Sequence, residues 1–188
     1  MKEFERLCIL DLETTGVYWS SDAPVQIAAV IVDSEGKEID SFNEKIKTTH
    51  AISPDASAVH GIYEKDLVNC RGEIAVLEDF CAWIKGNEVD AFLTYNGTAF
   101  DLPMLNERCK KCGIDFDGFA GIGYNCFDAK NDVFEAKQKN LYGLKSLGRK
   151  WRLTLVAEKL GLNTENAHDA CADVRMLKEV FFILHTKK

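Results

Sequence analysis

The sequence predicts an α/β protein with a mixed sheet of about five strands flanked by helices. Three observations lead there. The first fifty residues hold three β-rich runs joined by short turns, the pattern of an antiparallel meander. From residue 63 onward, apolar residues recur at helical spacing, and these stretches alternate with further short apolar strands. The chain has 188 residues, 46% hydrophobic and 28% charged, which suits one globular domain spanning 1–188 with a full core.

The elements follow in order. RLCILDL (6–12) is a short apolar strand, and PVQIAAVIVD (24–33) is a second, rich in β-branched residues. After the turn at 33–37, KEIDSFNEKIK (37–47) sets Ile39, Phe42 and Ile46 loosely among polar residues as a third. Residues 63–69 and 73–86 read as helices, with Gly86 as a stop. DAFLTYN (90–96) returns to strand. Pro103 fits the first turn of a helix reaching about Gly113, because proline is tolerated there and not in a helix interior. GYNCFD (123–128) is a strand, and helices are expected at 129–139, 153–160 and 167–185.

Bulk properties narrow the function. No apolar run approaches the roughly 18 residues that a membrane span requires, and the N-terminus carries acids where a secretory leader would be basic and then apolar. A cytoplasmic protein with no membrane partner is the expectation. Seven cysteines are scattered along the chain and read as reduced thiols in apolar segments. Cys109-Lys-Lys-Cys112 has no second pair to complete a zinc site. No glycine-rich phosphate cradle follows any strand, which excludes a Rossmann or P-loop nucleotide domain. The net charge of −7 disfavours long polyanions. Against that, residues 137–152 hold six basic residues (Lys137, Lys139, Lys145, Arg149, Lys150 and Arg152), no acid, and Tyr142 and Trp151 among them. That stretch is either a phosphate-tracking surface with stacking rings or a solvated face.

Three acidic motifs carry the chemistry. Asp11 and Glu13 lie two apart on the first strand, so their side chains leave one face. Asp101 stands in the first turn of a helix, where the helix dipole alone also favours an acid. In NAHDACADVRML, Asp169 and Asp173 share a helix face. His168 converges with Asp173 only if it sits at or before the helix start, since five residues span about 140° of a helical wheel. Each motif alone has a bland structural reading. Together, acids at strand ends and helix starts point to one edge of the sheet, and such a group ionises only around cations. An oxygen-only set selects Mg²⁺ or Mn²⁺, and two such ions suit in-line attack on a phosphodiester.

The three segments resemble the three exonuclease motifs of the DEDDh 3′–5′ exonuclease family, in the ribonuclease H-like superfamily. DLETTG is similar to the first motif, NGTAFD to the second and HDACAD to the third. HGIYEKDL (60–67) resembles the family's His-Gly-Ile loop, PVQIAAV its second strand and CFDA (126–129) its strand-to-helix turn. The likeness covers nearly the whole chain in the family's order, and is nearest to the proofreading subunit of the bacterial replicative polymerase. It implies a three-layer ribonuclease H-like fold. It also implies two Mg²⁺ or Mn²⁺ held by Asp11, Glu13, Asp101 and Asp173, with His168 as general base and Asp169 not a ligand. Thr14 and Thr15 would contact the terminal nucleotide, and Leu12, His60, Asn96 and Phe100 would help form its pocket. The implied substrate is a single-stranded 3′ end, DNA favoured over RNA, released as nucleoside 5′-monophosphates. A DNA polymerase is a possible partner, though the chain ends at Lys188, soon after the last motif, without a tail for docking one. Residues 17–23 and the basic stretch 137–152 depart from the family pattern.

Overall fold

The computed structural model describes residues 4–149, 151–164 and 169–186, with Thr186 by its backbone alone. Its sheet has six strands in the order β4-β3-β2-β1-β5-β6. They are β1 (Arg6–Thr14), β2 (Pro24–Asp33), β3 (Glu38–Lys47), the two-residue β4 (Arg71–Gly72), β5 (Ala91–Thr94) and β6 (Asn125–Asp128). β1, β2 and β3 pair antiparallel as the turn pattern predicts, while β5 joins β1 and β6 joins β5 in parallel. The sheet is therefore mixed, with one short strand more than the sequence suggested.

β1 is apolar without a break from Leu7 to Leu10 because both of its faces are covered there, as central strands of α/β sheets require. Cys8, Leu10 and Leu12 turn to one side, where α3 (Glu73–Gly86) and α4 (Asp101–Lys111) supply Leu77, Phe80, Leu102 and Leu105. Leu7 and Ile9 turn to the other, against Val174, Leu177 and Phe181 of α7 (Ala170–Thr186). A third cluster packs α7 against α5 (Ala129–Gln138) and α6 (Leu153–Lys159) through Val133, Val156, Met176 and Val180. Helix, sheet and helix make three layers.

The alternation has a direct consequence. Asp11 and Glu13 continue the 7, 9 series, so they fall on the α7 side of the sheet. The pairing of β1 with β2 slips between Glu13 and Thr14, a bulge of the kind that re-aims side chains at site edges, and opposite it stands Pro24.

Two short helices complete the fold, α1 (Pro54–His60) and α2 (Glu64–Leu67). α1 shows no apolar period because it is only two turns long. Its terminal signals are nonetheless in the sequence. Ser53 caps it by accepting the Ala56 N–H at 3.1 Å, Pro54 opens it, and Gly61 closes it at φ +71°. Elsewhere the expected strand 90–96 is cut to Ala91–Thr94, because Asn96 takes a left-handed φ of 67° and a 3₁₀ turn begins at Gly97. A 3₁₀ segment, Leu141–Leu147, occupies the basic stretch. α7 starts at Ala170 rather than 167 among the described residues, and Lys150 and His168 lie outside them.

Candidate active site

The parallel strands β1, β5 and β6 end at one edge of the sheet, the place where open α/β sheets bind ligands. Asp11 and Glu13 stand at the end of β1, and Asp101 opens α4 just beyond β5. Asp173 lies in the first turn of α7. These four carboxylates meet. Asp11 is held well above the ordinary carboxylate range by burial first, then by the charges of Asp101, Glu13 and Asp173. Glu13 is pushed up to about 8 by burial and by Asp173, Asp101 and Asp169. Asp101, only 8% exposed, rises to about 7 chiefly through burial, although its carboxylate accepts the Leu12 N–H. That hydrogen bond fastens the start of α4 to β1.

Acids gathered this way repel one another until a cation joins them. Among the described residues, no group of three His, Cys, Asp or Glu side chains is arranged as a ready metal cage. Crowded, partly desolvated carboxylates with an open coordination sphere fit Mg²⁺ or Mn²⁺. Such ions take one or two protein carboxylates and complete their shell with water and phosphate oxygens. The donor set therefore fits the expected ions.

Asp169 has a different task. It is exposed, and its carboxylate accepts the Ala172 N–H at 3.1 Å while its carbonyl accepts the Asp173 N–H at 2.9 Å. It caps α7.

Beside Glu13 a cleft of about 500 Å³ opens, lined by Glu13, Thr14, Val17, Tyr18, Val59 and His60, within the range of small-ligand sites. His60 donates from Nε2 to the Thr14 carbonyl (3.2 Å) while its Nδ1 accepts the Ile62 N–H (3.0 Å), so both ring nitrogens are assigned and the ring is neutral. Burial, the largest influence, lowers its pKa. The Thr15 hydroxyl donates to Asp22 (2.9 Å), which also accepts the Tyr18 N–H (2.8 Å), and the Thr14 hydroxyl donates to the Gly16 carbonyl (2.7 Å). Both threonine hydroxyls thus brace the loop that presents Val17 and Tyr18, which are 77% and 70% exposed. Those two side chains and Val59 form an apolar lip that the motifs alone did not reveal.

The remaining expected pocket residues disperse. Leu12 is buried in the core, and Phe100 is half-buried against the same core cluster. Asn96 is exposed on a second cleft, where its side-chain oxygen accepts Lys130 Nζ at 2.7 Å. Two positions not named as site residues from the sequence hold this region. Asp128 accepts the Asn96 N–H and the Thr98 hydroxyl, each at 2.7 Å, and caps α5 through Lys130 N–H. Gly97 lies so close to Asp101 that a Cβ there would stand 2.6 Å from Thr94 Cβ and 2.9 Å from Asp101 Cγ. CFDA gave a signal for Asp128, and the Asn-Gly pair one for Gly97, but only contact shows what they brace.

Comparison with known proteins agrees with this architecture. A family model described as Exonuclease matches residues 8–181. A DNA polymerase III PolC-type protein of Thermotoga maritima is 30% identical over 174 residues, 92% of this chain and 11% of the relative. DNA polymerase III subunit epsilon of Treponema pallidum is 29% identical over 177 residues, 91% of this chain and 72% of that one. Among solved structures, E. coli exonuclease I in a zinc-bound complex with single-stranded DNA superposes with a TM-score of 0.82 at 24% identity. The match covers 98% of this chain and 41% of that one. Exonuclease I of Methylocaldum szegediense gives 0.80 at 20% identity, covering 97% and 41%. This chain thus spans a small part of the PolC-type relative and under half of either exonuclease I, whose ribonuclease H-like fold it shares. With the family match running from β1 to near the end of α7, the chain belongs to the exonuclease family.

Proposed function

We propose that the protein is a metal-dependent 3′–5′ exonuclease of the DEDDh type that removes nucleoside 5′-monophosphates from single-stranded 3′ ends, with DNA preferred. The observation that carries this reading is the meeting of Asp11, Glu13, Asp101 and Asp173, drawn from three separate parts of the chain, in one partly desolvated group. A fold has no use for four mutually repelling acids unless a cation is to be held there. The DNA preference leans on the relatives, whose names are those of DNA polymerase III proteins; the same names suggest a polymerase as a partner.

Asp11, Glu13, Asp101 and Asp173 would hold two Mg²⁺ or Mn²⁺. When bound, the ions supply a polarised water and neutralise charge on the scissile phosphate. The chain's own residues do the rest. Thr14 and His60 wall the cleft beside Glu13, and its apolar lip of Val17, Tyr18 and Val59 receives the terminal base and sugar and excludes water. Neutral His60 fixes the Thr14 carbonyl, so the cleft's inner wall is set before substrate arrives. His168 takes the proton as water attacks phosphorus and the bond to the 3′ oxygen of the preceding nucleotide breaks.

Matched DNA and RNA strands labelled at the 5′ end, digested with Mg²⁺, provide the test. Stepwise shortening from the 3′ end, lost in EDTA and in both Asp101→Asn and His168→Ala, is the expected result. Full activity in excess EDTA overturns the metal requirement, and faster digestion of the RNA strand reverses the substrate preference.

A further inference from the structure

The basic stretch finds its place on the far side of the carboxylates. A cleft of about 790 Å³ opens there, lined by Tyr95, Asn96, Lys130, Arg149, Trp151 and Arg152 among others. The sheet order sets it at the ends of β5 and β6, while the cleft with His60 lies at the end of β1 and the loop after it. The catalytic acids stand between. Asp128 joins the two regions, because it accepts the Asn96 N–H at the cleft and its charge is felt at Asp101.

The cations here are held in place rather than left to wander in solvent. Lys137 Nζ donates to the Gly148 carbonyl and lies 4.9 Å from the centre of the Trp151 ring, which stacks on Phe134 at 5.6 Å. Lys130 lies 6.0 Å from the same ring centre. The Tyr95 hydroxyl donates to the Trp151 carbonyl, tying the loop to the end of β5. Among the described residues, the side chains of Arg149 and Arg152 have neither an ion pair nor a hydrogen-bond partner. In a chain with seven more acids than bases, two unpaired guanidiniums on one cleft are an uncommon local reversal of sign. Asp128, whose charge is felt at Tyr95 on the wall of the cleft, is already occupied by three donors.

We propose that this cleft binds the phosphate backbone of the single strand upstream of the scissile bond, through Arg149 and Arg152 against the wall formed by Tyr95 and Trp151. This extends, and rests on, the exonuclease reading. A strand whose last nucleotide sits beside His60 passes the acids and leaves across Asn96. Guanidiniums suit phosphate because their planar fork matches its oxygens, and these two have no competing partner among the described residues to give up first. The arrangement explains how a net-negative protein retains a strand between successive cuts.

The test compares wild type with the double variant Arg149→Ala/Arg152→Ala on a dinucleotide and on a twelve-nucleotide strand. The KM for the longer strand is expected to rise about tenfold more than that for the dinucleotide, and the salt dependence of strand binding to flatten by about 1.4 in logarithmic slope for two lost contacts. Arg149→Lys/Arg152→Lys restores most of the slope, which a purely structural role for the guanidinium planes does not predict. Thermal melting confirms that the variants fold. An unchanged length dependence and slope overturn the proposal and leave the cleft to an acidic protein surface. If wild type cuts neither substrate, the exonuclease reading itself fails. Fluorescence anisotropy of a labelled strand then decides this cleft alone: weaker binding by the double variant supports it, and equal binding refutes it.

Discussion

Asp101 illustrates how much of the site rests on individual atoms. It is buried, bonded to Leu12 N–H, and pressed from behind by Gly97. Gly97→Ala forces its carboxylate aside, and a displacement of about 1 Å at a catalytic group costs on the order of 100-fold in rate. The contrasting Gly86→Ala meets open space at the end of α3 and is expected to add about 0.4–1 kcal/mol of stability with activity unchanged. Titration at this site also has a defined sign. In the folded, metal-free protein Glu13 and Asp101 keep their protons up to about 8 and about 7, against ordinary values of 4.5 and 3.8. Their contribution to stability is whole below those ordinary values and is lost as pH rises through 7 to 8. Melting temperature in EDTA should therefore fall between pH 5 and pH 8, and Asp101→Asn should flatten that fall while abolishing turnover. Asp11 and Glu13 were legible from spacing alone. Gly97 and Asp128 were not, because their role is to touch a side chain that the sequence places elsewhere.

At the level of elements, α3 and α4 are joined by an ion pair with little exposure to water. Arg108 donates through Nε and a terminal nitrogen to Glu73, and the two side chains are 10% and 13% exposed. Removing the acid leaves a buried guanidinium without its partner. Glu73→Ala should cost about 3–5 kcal/mol, measured by urea unfolding, and should tilt α4 enough to loosen Asp101. Helix α1 depends instead on its cap. Ser53→Ala should cost about 1 kcal/mol and raise the KM for substrate, because His60 and Val59 ride on that helix. Long elements with strong periodicity, such as α3 and α7, were evident from sequence, as was the meander. The short α1 and the 3₁₀ turn at Gly97 were not, because two turns or fewer hold too few apolar positions to show a period. Their form comes from caps and from the left-handed Asn96.

For the molecule as a whole, cation binding and folding are linked. An ion that binds only the folded state adds stability in proportion to its occupancy, and here it also relieves the repulsion among four acids. Mg²⁺ or Mn²⁺ should raise the melting temperature more at pH 8, where the carboxylates are ionised, than at pH 6, and Asp11→Asn should shrink the difference. The sequence by itself determined the order and type of the main elements, because apolar period and turn residues are local properties of the chain. It singled out the acids too, through their spacing on a strand and their positions at helix starts. Only the tertiary structure decided that β1 lies between α3 and α7 with Asp11 and Glu13 on the α7 side. It alone showed that Asp169 caps α7, and set Arg149 and Arg152 on the cleft beside Asn96. Those outcomes depend on contacts between segments far apart in the chain, and such contacts are fixed by packing, which no local pattern encodes.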